Sequence, residues 1–527
     1  MLLSGCLAFL SSAAFAQTTW YVDDNAPNDP APGDPSISDP LEDGSQAHPF
    51  DAIQEGINAA TAGDEVVVAD GLYIGVGNRV LYFGGKDIIL RSASSDPSLC
   101  VIDCEEQGAF RFDQGETPAA VLSGFTVRNA RSDRGGGIGC LNNSNPTVND
   151  CVINGCEASR YGSGVFCGAS SPTFNRCTIS ASFSGDGVYI RNNSRPTFNL
   201  CTISDSFYGA GVACYNSSPT FNDCILSGND YSGLYCYENS HAIVKNCTIN
   251  GNGHLSTLGG GISCWENSNP TITNCTIHDN FAETGGGVYC RNSSPALINC
   301  QILENQFSPS AAGIVCEEES APTLVNCLIT RNTFGVHCGD ESNPALKNCI
   351  IWDNYQSMYV SNGNAVLSYC DVQGGWPGTG NIDADPLLTP DGRLQFGSPC
   401  IDAGANTFVP ADIFDLDNDG DTAEPIPFDL AGDPRFFDDL GIPDRGDAGD
   451  TGLPVVDIGA YEFQGWTCFG DFNGDGAINL DDLAQMLAHY GQSGLSYYEG
   501  DMNADGEIDL DDLAWLLSRY GNSCPLP

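Results

Sequence analysis

Basic residues are scarce in this 527-residue chain: 19 Lys and Arg stand against 68 Asp and Glu, a formal charge of -49. Such a surface repels a phosphate backbone, which removes nucleic acid from the possible partners. Histidine is sparse as well, with six residues scattered along the chain. No glycine-rich phosphate loop follows a strand-like run and no nucleophile elbow is visible, so nucleotide binding and serine-type hydrolysis have no motif behind them. Long helical patterns are missing from the central two thirds. Past the first 17 residues there is no uninterrupted apolar run of about 18, the least a spanning helix needs.

What is present begins with Met1 to Gln17, an apolar stretch ending in Ala14-Phe15-Ala16, a small-x-small site of the kind cut during export. It predicts a signal peptide over 1–16, a secreted or cell-surface protein, and no transmembrane segment once the signal is removed. Leu3-Ser4-Gly5-Cys6 resembles a lipoprotein box, an alternative that leaves very few residues for a hydrophobic region ahead of it.

From Cys140 to Cys370 the chain repeats ten times at intervals of about two dozen residues. The later landmark of each copy reads NPTVNDCVI from Asn145, SPTFNRCTI from Ser171, RPTFNLCTI from Arg195 and SPTFNDCIL from Ser218. An earlier landmark lies ten or eleven residues upstream, and 18 of the 25 cysteines occupy these two positions. Flanked by Thr, Ile, Val and Phe, a small buried thiol packs as a hydrophobe. Disulfides between stacked turns, about 4.8 Å apart, remain an alternative. Each copy holds short strand-like runs separated by Asn, Ser, Gly and Pro clusters. A unit this short cannot bury its own inner face, so copies must stack into a solenoid with ladders of equivalent residues. Asn229, Asn252, Asn280, Asn305, Asn332 and Asn354 recur five residues after the second landmark, which predicts an asparagine ladder at a corner, with left-handed backbone tolerated there.

These features resemble the right-handed parallel β-helix family, the pectin-lyase-like fold. The resemblance implies a mainly β chain: an N-terminal segment with a capping helix over 17–65, a right-handed parallel β-helix solenoid over 66–395, and a C-terminal cap over 396–465. The apolar residues of Pro49 to Ala62 at helical spacing suit the plug of the first coil, ahead of the strand Glu65 to Val68. The same scaffold hosts many unrelated activities.

After Trp466 two near copies appear about thirty residues apart, Asp471 to Asp482 and Asp501 to Asp512, each followed by an apolar helix pattern. Calcium prefers many hard oxygens, and an EF-hand-like loop supplies them from positions 1, 3, 5, 7, 9 and 12. The first loop offers Asp471, Asn473, Asp475, the carbonyl of Ala477, Asn479 and Asp482; the second offers Asp501, Asn503, Asp505, the carbonyl of Glu507, Asp509 and Asp512. Asp at position 12, the missing leading helix and the duplication resemble a small all-α type I dockerin domain over 466–527. That resemblance implies bound Ca2+ and attachment to a cohesin-like domain or surface scaffold. Leu480, Asp481, Leu510 and Asp511 replace the family's usual partner-reading pair, and Cys468 and Cys524 bracket the module as a candidate disulfide clasp. Asp415 to Asp421 looks like half of another calcium loop with Ile426 at position 12. Two readings stay open there: calcium completed by distant ligands, or a solvated acidic turn.

Residues on either side of the first-landmark cysteines should point outward, because side chains alternate along a strand. One such row holds Arg191, Tyr215, Tyr237, Trp265, Arg291 and Glu317; the other holds Phe166, Tyr189, Ala213, Tyr235, Ser263, Tyr289, Val315 and His337. Flat rings with charged tips suit a sugar chain, whereas aromatic stacking that merely stiffens the solenoid is the plainer explanation. Asp186, Glu238, Glu266, Glu283 and Glu317, with Arg191 and Arg291 as bases, are the nearby acid-base candidates, and no catalytic set stands out among them. Two functions follow: a secreted protein that binds an extracellular polysaccharide and degrades it as a lyase or glycoside hydrolase, or a non-enzymatic surface or adhesion protein with a β-helix stalk.

Overall fold

A computed structural model describes residues 17–31, 33–305, 312–417, 419–437, 442–464, 470–472, 477–493, 500, 502 and 507–521. The signal segment 1–16, the clasp cysteines Cys468 and Cys524, and the calcium-loop residues Asn473, Asp475, Asp501, Asn503 and Asp505 lie outside them. The chain divides into two compact units, Met1–Leu234 and Tyr235–Pro527.

In the first unit each turn contributes one strand to each of three parallel sheets. One sheet runs from Thr19–Val22 through Glu65–Val68 to Thr220–Asn222, a second from Gly71–Tyr73 to Ile225–Ser227, and a third from Leu81–Tyr82 to Val212–Tyr215. The three-residue strands read Thr-Phe-Asn or Thr-Ile-Ser, with the middle residue buried and the flanking ones half exposed. That alternation puts β-branched and aromatic side chains inside and fixes the register, since a one-residue slip would turn the apolar set outward. Phe174 therefore stacks on Phe198 at 4.9 Å, and Phe198 on Phe221 at 5.1 Å. The plug predicted near Pro49 forms as the helix Ile53–Ala59, burying Ile53, Gly56 and Ile57. Gly56 lets the helix sit close: a Cβ there would fall 2.7 Å from Val66 Cγ1.

The second unit repeats the design, with sheets running from Ile243–Lys245 to Val366–Ser368, from Thr248–Asn250 to Asp371–Val372, and from Ile262–Trp265 to Gln356–Val360. All six predicted ladder asparagines, Asn229 in the first unit and Asn252 to Asn354 in the second, are buried. From Asn252 to Asn354 each Nδ2 donates to the Oδ1 of the next at 3.0–3.2 Å. Their backbone is not left-handed, contrary to expectation. The left-handed residue is the one before: Asp279, Glu304, Arg331 and Asp353, with φ of 53°, 56°, 54° and 56°. The preceding residue turns the corner outside the coil, which frees the asparagine to point inward and satisfy buried backbone groups.

The segment after the last coil strand packs against the flank of the second unit. Asn348 exchanges two hydrogen bonds with the backbone of Ala405, at 3.0 and 2.9 Å, and Leu328 and Ile350 share a buried cluster with Cys400, Ile401, Ile458 and Ala460. Arg435 is fully buried there, donating to the carbonyl of Ala460 at 2.7 Å and to Asn299 Oδ1 at 3.2 Å. The 22 cysteines of the described residues are buried, with no disulfide among the described residues. Burial pushes Cys151 and Cys156 up to about 12, so these thiols act as small core hydrophobes.

Candidate functional site

Two places offer chemistry: the outward row of the third sheet, and the C-terminal loops. On the third sheet, one of the two flanking rows is largely covered: Tyr235 and His337 in it are half-exposed as expected, and the rest of its named residues are not. Phe166, Tyr189, Ala213, Ser263, Tyr289 and Val315 are 8% exposed or less. Their predicted exposure is overturned because the segments entering these strands fold back over them. In the first unit Tyr161 lies 4.6 Å from the Tyr189 ring; in the second, Leu258 and Phe334 pack on Tyr289 and Val315. The other row, Arg191 and Tyr215 in the first unit and Tyr237, Trp265, Arg291 and Glu317 in the second, is half-exposed as expected.

In the first unit Arg191 and Tyr215 are neighbours in register on the strands Val188–Arg191 and Val212–Tyr215. Tyr215 stacks on Tyr189 at 5.0 Å, and the Arg191 guanidinium sits 5.4 Å from the Tyr161 ring. Two residues that the repeat did not reveal complete this patch. Arg134 and Tyr161 face each other across a two-stranded parallel sheet, Arg131–Arg134 with Glu157–Tyr161, that lies outside the regular repeat. Their 27-residue spacing, close to the coil period, was the available signal. Arg134 reaches to 5.9 Å from the Phe166 ring, and its Nε is buried without a hydrogen-bond partner. Neither Arg134 nor Arg191 has a carboxylate partner among the described residues, although ten other arginines of the described residues do, among them Arg131 to Glu157 and Arg176 to Asp150. Half-buried Asp186 completes the region; its Oδ1 accepts the Ala210 N–H at 2.9 Å, and burial pushes its carboxyl up to about 6.

In the second unit the equivalent row is tied up by its own contacts. Tyr237 donates its hydroxyl to Glu266 at 2.7 Å and Tyr289 to Glu317 at 2.6 Å. Arg291 pairs with Glu318 while lying 5.0 Å from the Trp265 ring. Glu238 and Glu283 stand exposed at the turns. Beyond this row a depression of about 590 Å³ is lined by Asn292, Glu318, Glu319, Asp340, Glu341 and Asn362, which repels anions. These carboxylates do not form an acid-base pair poised across a cleft.

At the C-terminus the loops feed the helices Leu480–His489 and Leu510–Arg519, capped by Asn479 and Asp509. The two copies match bond for bond. Asp482 accepts from the N–H groups of Phe472 and Asn479 at 2.7 and 2.9 Å, and Asp512 from those of Met502 and Asp509 at 2.7 and 2.8 Å. Both carboxylates are fully buried, and Phe472, Ile478, Met486, Met502, Ile508 and Leu516 form one core. Of the predicted ligands, Asp471, Ala477, Asn479, Asp482, Glu507, Asp509 and Asp512 are described. Each loop thus holds its position-12 carboxylate in place through the backbone of positions 2 and 9, an arrangement suited to a hard cation.

A family model described as right handed beta helix region matches residues 76–253, 163–318 and 260–379, more than half of the chain in all. No curated protein matches. Among solved structures, pectate lyase Pel9A is similar at 14% identity, covering 74% of this chain and 93% of that one, with a TM-score of 0.38. The mannuronan C-5 epimerase AlgE6 A-module of Azotobacter vinelandii is 14% identical over 60% of this chain and 93% of its own, with a TM-score of 0.43. PfbA, a surface adhesin of Streptococcus pneumoniae, is 9% identical over 72% and 96%, with a TM-score of 0.32. Likeness at this level does not discriminate between chemistries.

Proposed function

The chain belongs to the right-handed β-helix family, and on that premise we propose that it is an exported carbohydrate-active protein whose coil binds an acidic polysaccharide. The observation that carries this reading is the patch of Arg134 and Arg191 over Tyr161, Tyr189 and Tyr215. What sets these two guanidiniums apart is that both lie over aromatic rings, Arg134 over Phe166 and Arg191 over Tyr161, without a carboxylate partner among the described residues, in a chain of charge -49. Uronate carboxylates are the natural guests of such guanidiniums, and the rings offer flat faces to sugar carbons. Asp186, whose carboxyl burial pushes up to about 6, is the carboxylate beside this patch able to carry a proton toward neutral pH, and a lyase or hydrolase activity would draw on it.

The C-terminal module is proposed to bind two Ca2+ ions in dockerin fashion and to attach the coil to a cohesin-like domain or surface scaffold. Incubating the full-length protein with pectate, alginate and neutral glycans tests the coil. Binding of uronate polymers alone, with unsaturated product or new reducing ends, supports an enzyme. Binding without any product supports the second reading, an adhesion protein, which is favoured by the internally paired charges of the second unit. Equal affinity for neutral glycans would sink the uronate assignment. For the module, the Asp475→Ala and Asp505→Ala double variant should lose calcium-induced stabilisation of the full chain's C-terminal transition.

A further inference from the structure

The acidic run Asp415 to Asp421 lacks a carboxylate at its twelfth position, where Ile426 is instead buried with Val409 and Val456. The fold brings in two carboxylates from outside the run. Asp412, Asp417 and Glu424 each place an oxygen within 4.8 Å of the other two, the separation spanned by two oxygens across one calcium at about 2.4 Å each. A second trio, Asp415, Asp417 and Asp419, meets the same limit and shares Asp417.

Burial gives this cluster a meaning that exposed acidic turns lack. Asp412 is fully buried; its Oδ2 accepts the Leu416 N–H at 2.6 Å, and its Oδ1 has no hydrogen-bond partner. Glu424 Oε1 is likewise buried and unpartnered. The two are held together by backbone, since the Asp412 N–H donates to the Glu424 carbonyl at 2.7 Å beside the antiparallel bridge of Ala411 and Pro425. A buried carboxylate oxygen with no donor is costly, and no lysine or arginine pairs with Asp412, Asp417 or Glu424 among the described residues. A hard cation resolves both the repulsion and the missing donors.

We propose that Asp412, Asp417 and Glu424 form a Ca2+ site in the segment packed on the flank of the coil, distinct from the two C-terminal loops. Calcium suits it better than magnesium, because three or more carboxylates at flexible separations match its larger coordination number. The ion pins the segment 411–426 onto the cluster of Val409, Ile426 and Val456, which in turn rests on Ile298.

Equilibrium dialysis of the full chain against radioactive calcium, after chelation, tests this. The Asp412→Asn and Glu424→Gln double variant should bind one fewer calcium per chain than the parent. Cleavage within 411–426 by a broad protease should slow at least 5-fold with calcium in the parent and not in the variant. Asp417→Asn, at a half-exposed position, gives the same readout should the buried pair fail to fold. An unchanged stoichiometry with unchanged protection in a folded variant would overturn the site. The Asp475→Ala and Asp505→Ala variant separates the questions: it should lose the C-terminal equivalents while keeping this one. Equal occupancy by magnesium at the same concentration would refute the assignment to calcium.

Discussion

The two units repeat one coil design with different corners and different outer rows. In the first, the inward corner before the third-sheet strands is held by Ser182 and Ser206, whose hydroxyls are buried without partners. In the second, the same corner is an asparagine ladder in which Asn305 alone accepts from Asn280 and donates to Asn332 Oδ1 and to the carbonyl of Ile277. On the outer row the relation is reversed: the first unit leaves Arg134 and Arg191 without carboxylates among the described residues, and the second pairs Arg291 with Glu318 and bonds Glu317 and Glu266 to tyrosine hydroxyls. Internal bonding at the corner and on the outer row is thus distributed differently along a repeat whose sequence looks uniform. A position that satisfies its neighbours internally has nothing left for a ligand.

The largest expected effect lies at the corner. Asn305→Ala strands the buried Asn280 N–H on one neighbouring turn and removes the donor to the Ile277 carbonyl and to Asn332 Oδ1; it should cost about 3 kcal/mol, read as a lower unfolding midpoint, because each lost buried bond is worth about 1 kcal/mol and each orphan adds a penalty. Ser206→Ala should be neutral or slightly stabilising, since its hydroxyl has no bond to lose. Equal losses at both sites would erase the contrast.

Next comes the outer row. Arg134→Ala with Arg191→Ala should weaken pectate or alginate binding at least 10-fold, about 1.4 kcal/mol or more, in affinity electrophoresis at low salt. Arg291→Ala in the second unit should change it less than 2-fold. A larger loss at Arg291 would move the site to the second unit.

A pH effect of similar size belongs to Asp186. Its folded-state pKa of about 6 exceeds the ordinary 3.8, so the fold penalises the charged form. The relative stability is full below about 4 and is lost as pH rises through about 6. Asp186→Asn keeps an acceptor for the Ala210 N–H and should raise stability by about 2 kcal/mol at pH 7.5 with no gain at pH 4, measured by denaturant midpoints. A gain that does not vary with pH would assign the effect to packing. The smallest change is Trp265→Ala, which removes a ring already covered by Arg291 and should leave polymer binding unaltered.

Most of the coil could be read from spacing alone. The period of Cys151, Cys177, Cys201 and Cys224 demanded stacked turns, and alternation around Phe174 and Ile179 demanded strands. The helices after the two acidic loops, capped by Asn479 and Asp509, were legible for the same local reason, since cap and helix pattern are set within a dozen residues. The covered row around Tyr189 and Tyr289 was not, because alternation states that a side chain leaves the sheet but not whether another segment lies over it. Arg134 and Tyr161 escaped because each is ordinary in its own context and becomes notable only as a pair.

Strand order, inward residues and ladder asparagines follow from short-range pattern, since hydrogen-bond geometry and side-chain alternation act between neighbours in the chain. Which faces stay open, which charges find partners and which distant carboxylates converge, as Asp412 and Glu424 do on Asp417, depend on how loops between turns fold over the coil. Those outcomes are contacts between residues far apart in order, and no local spacing encodes them.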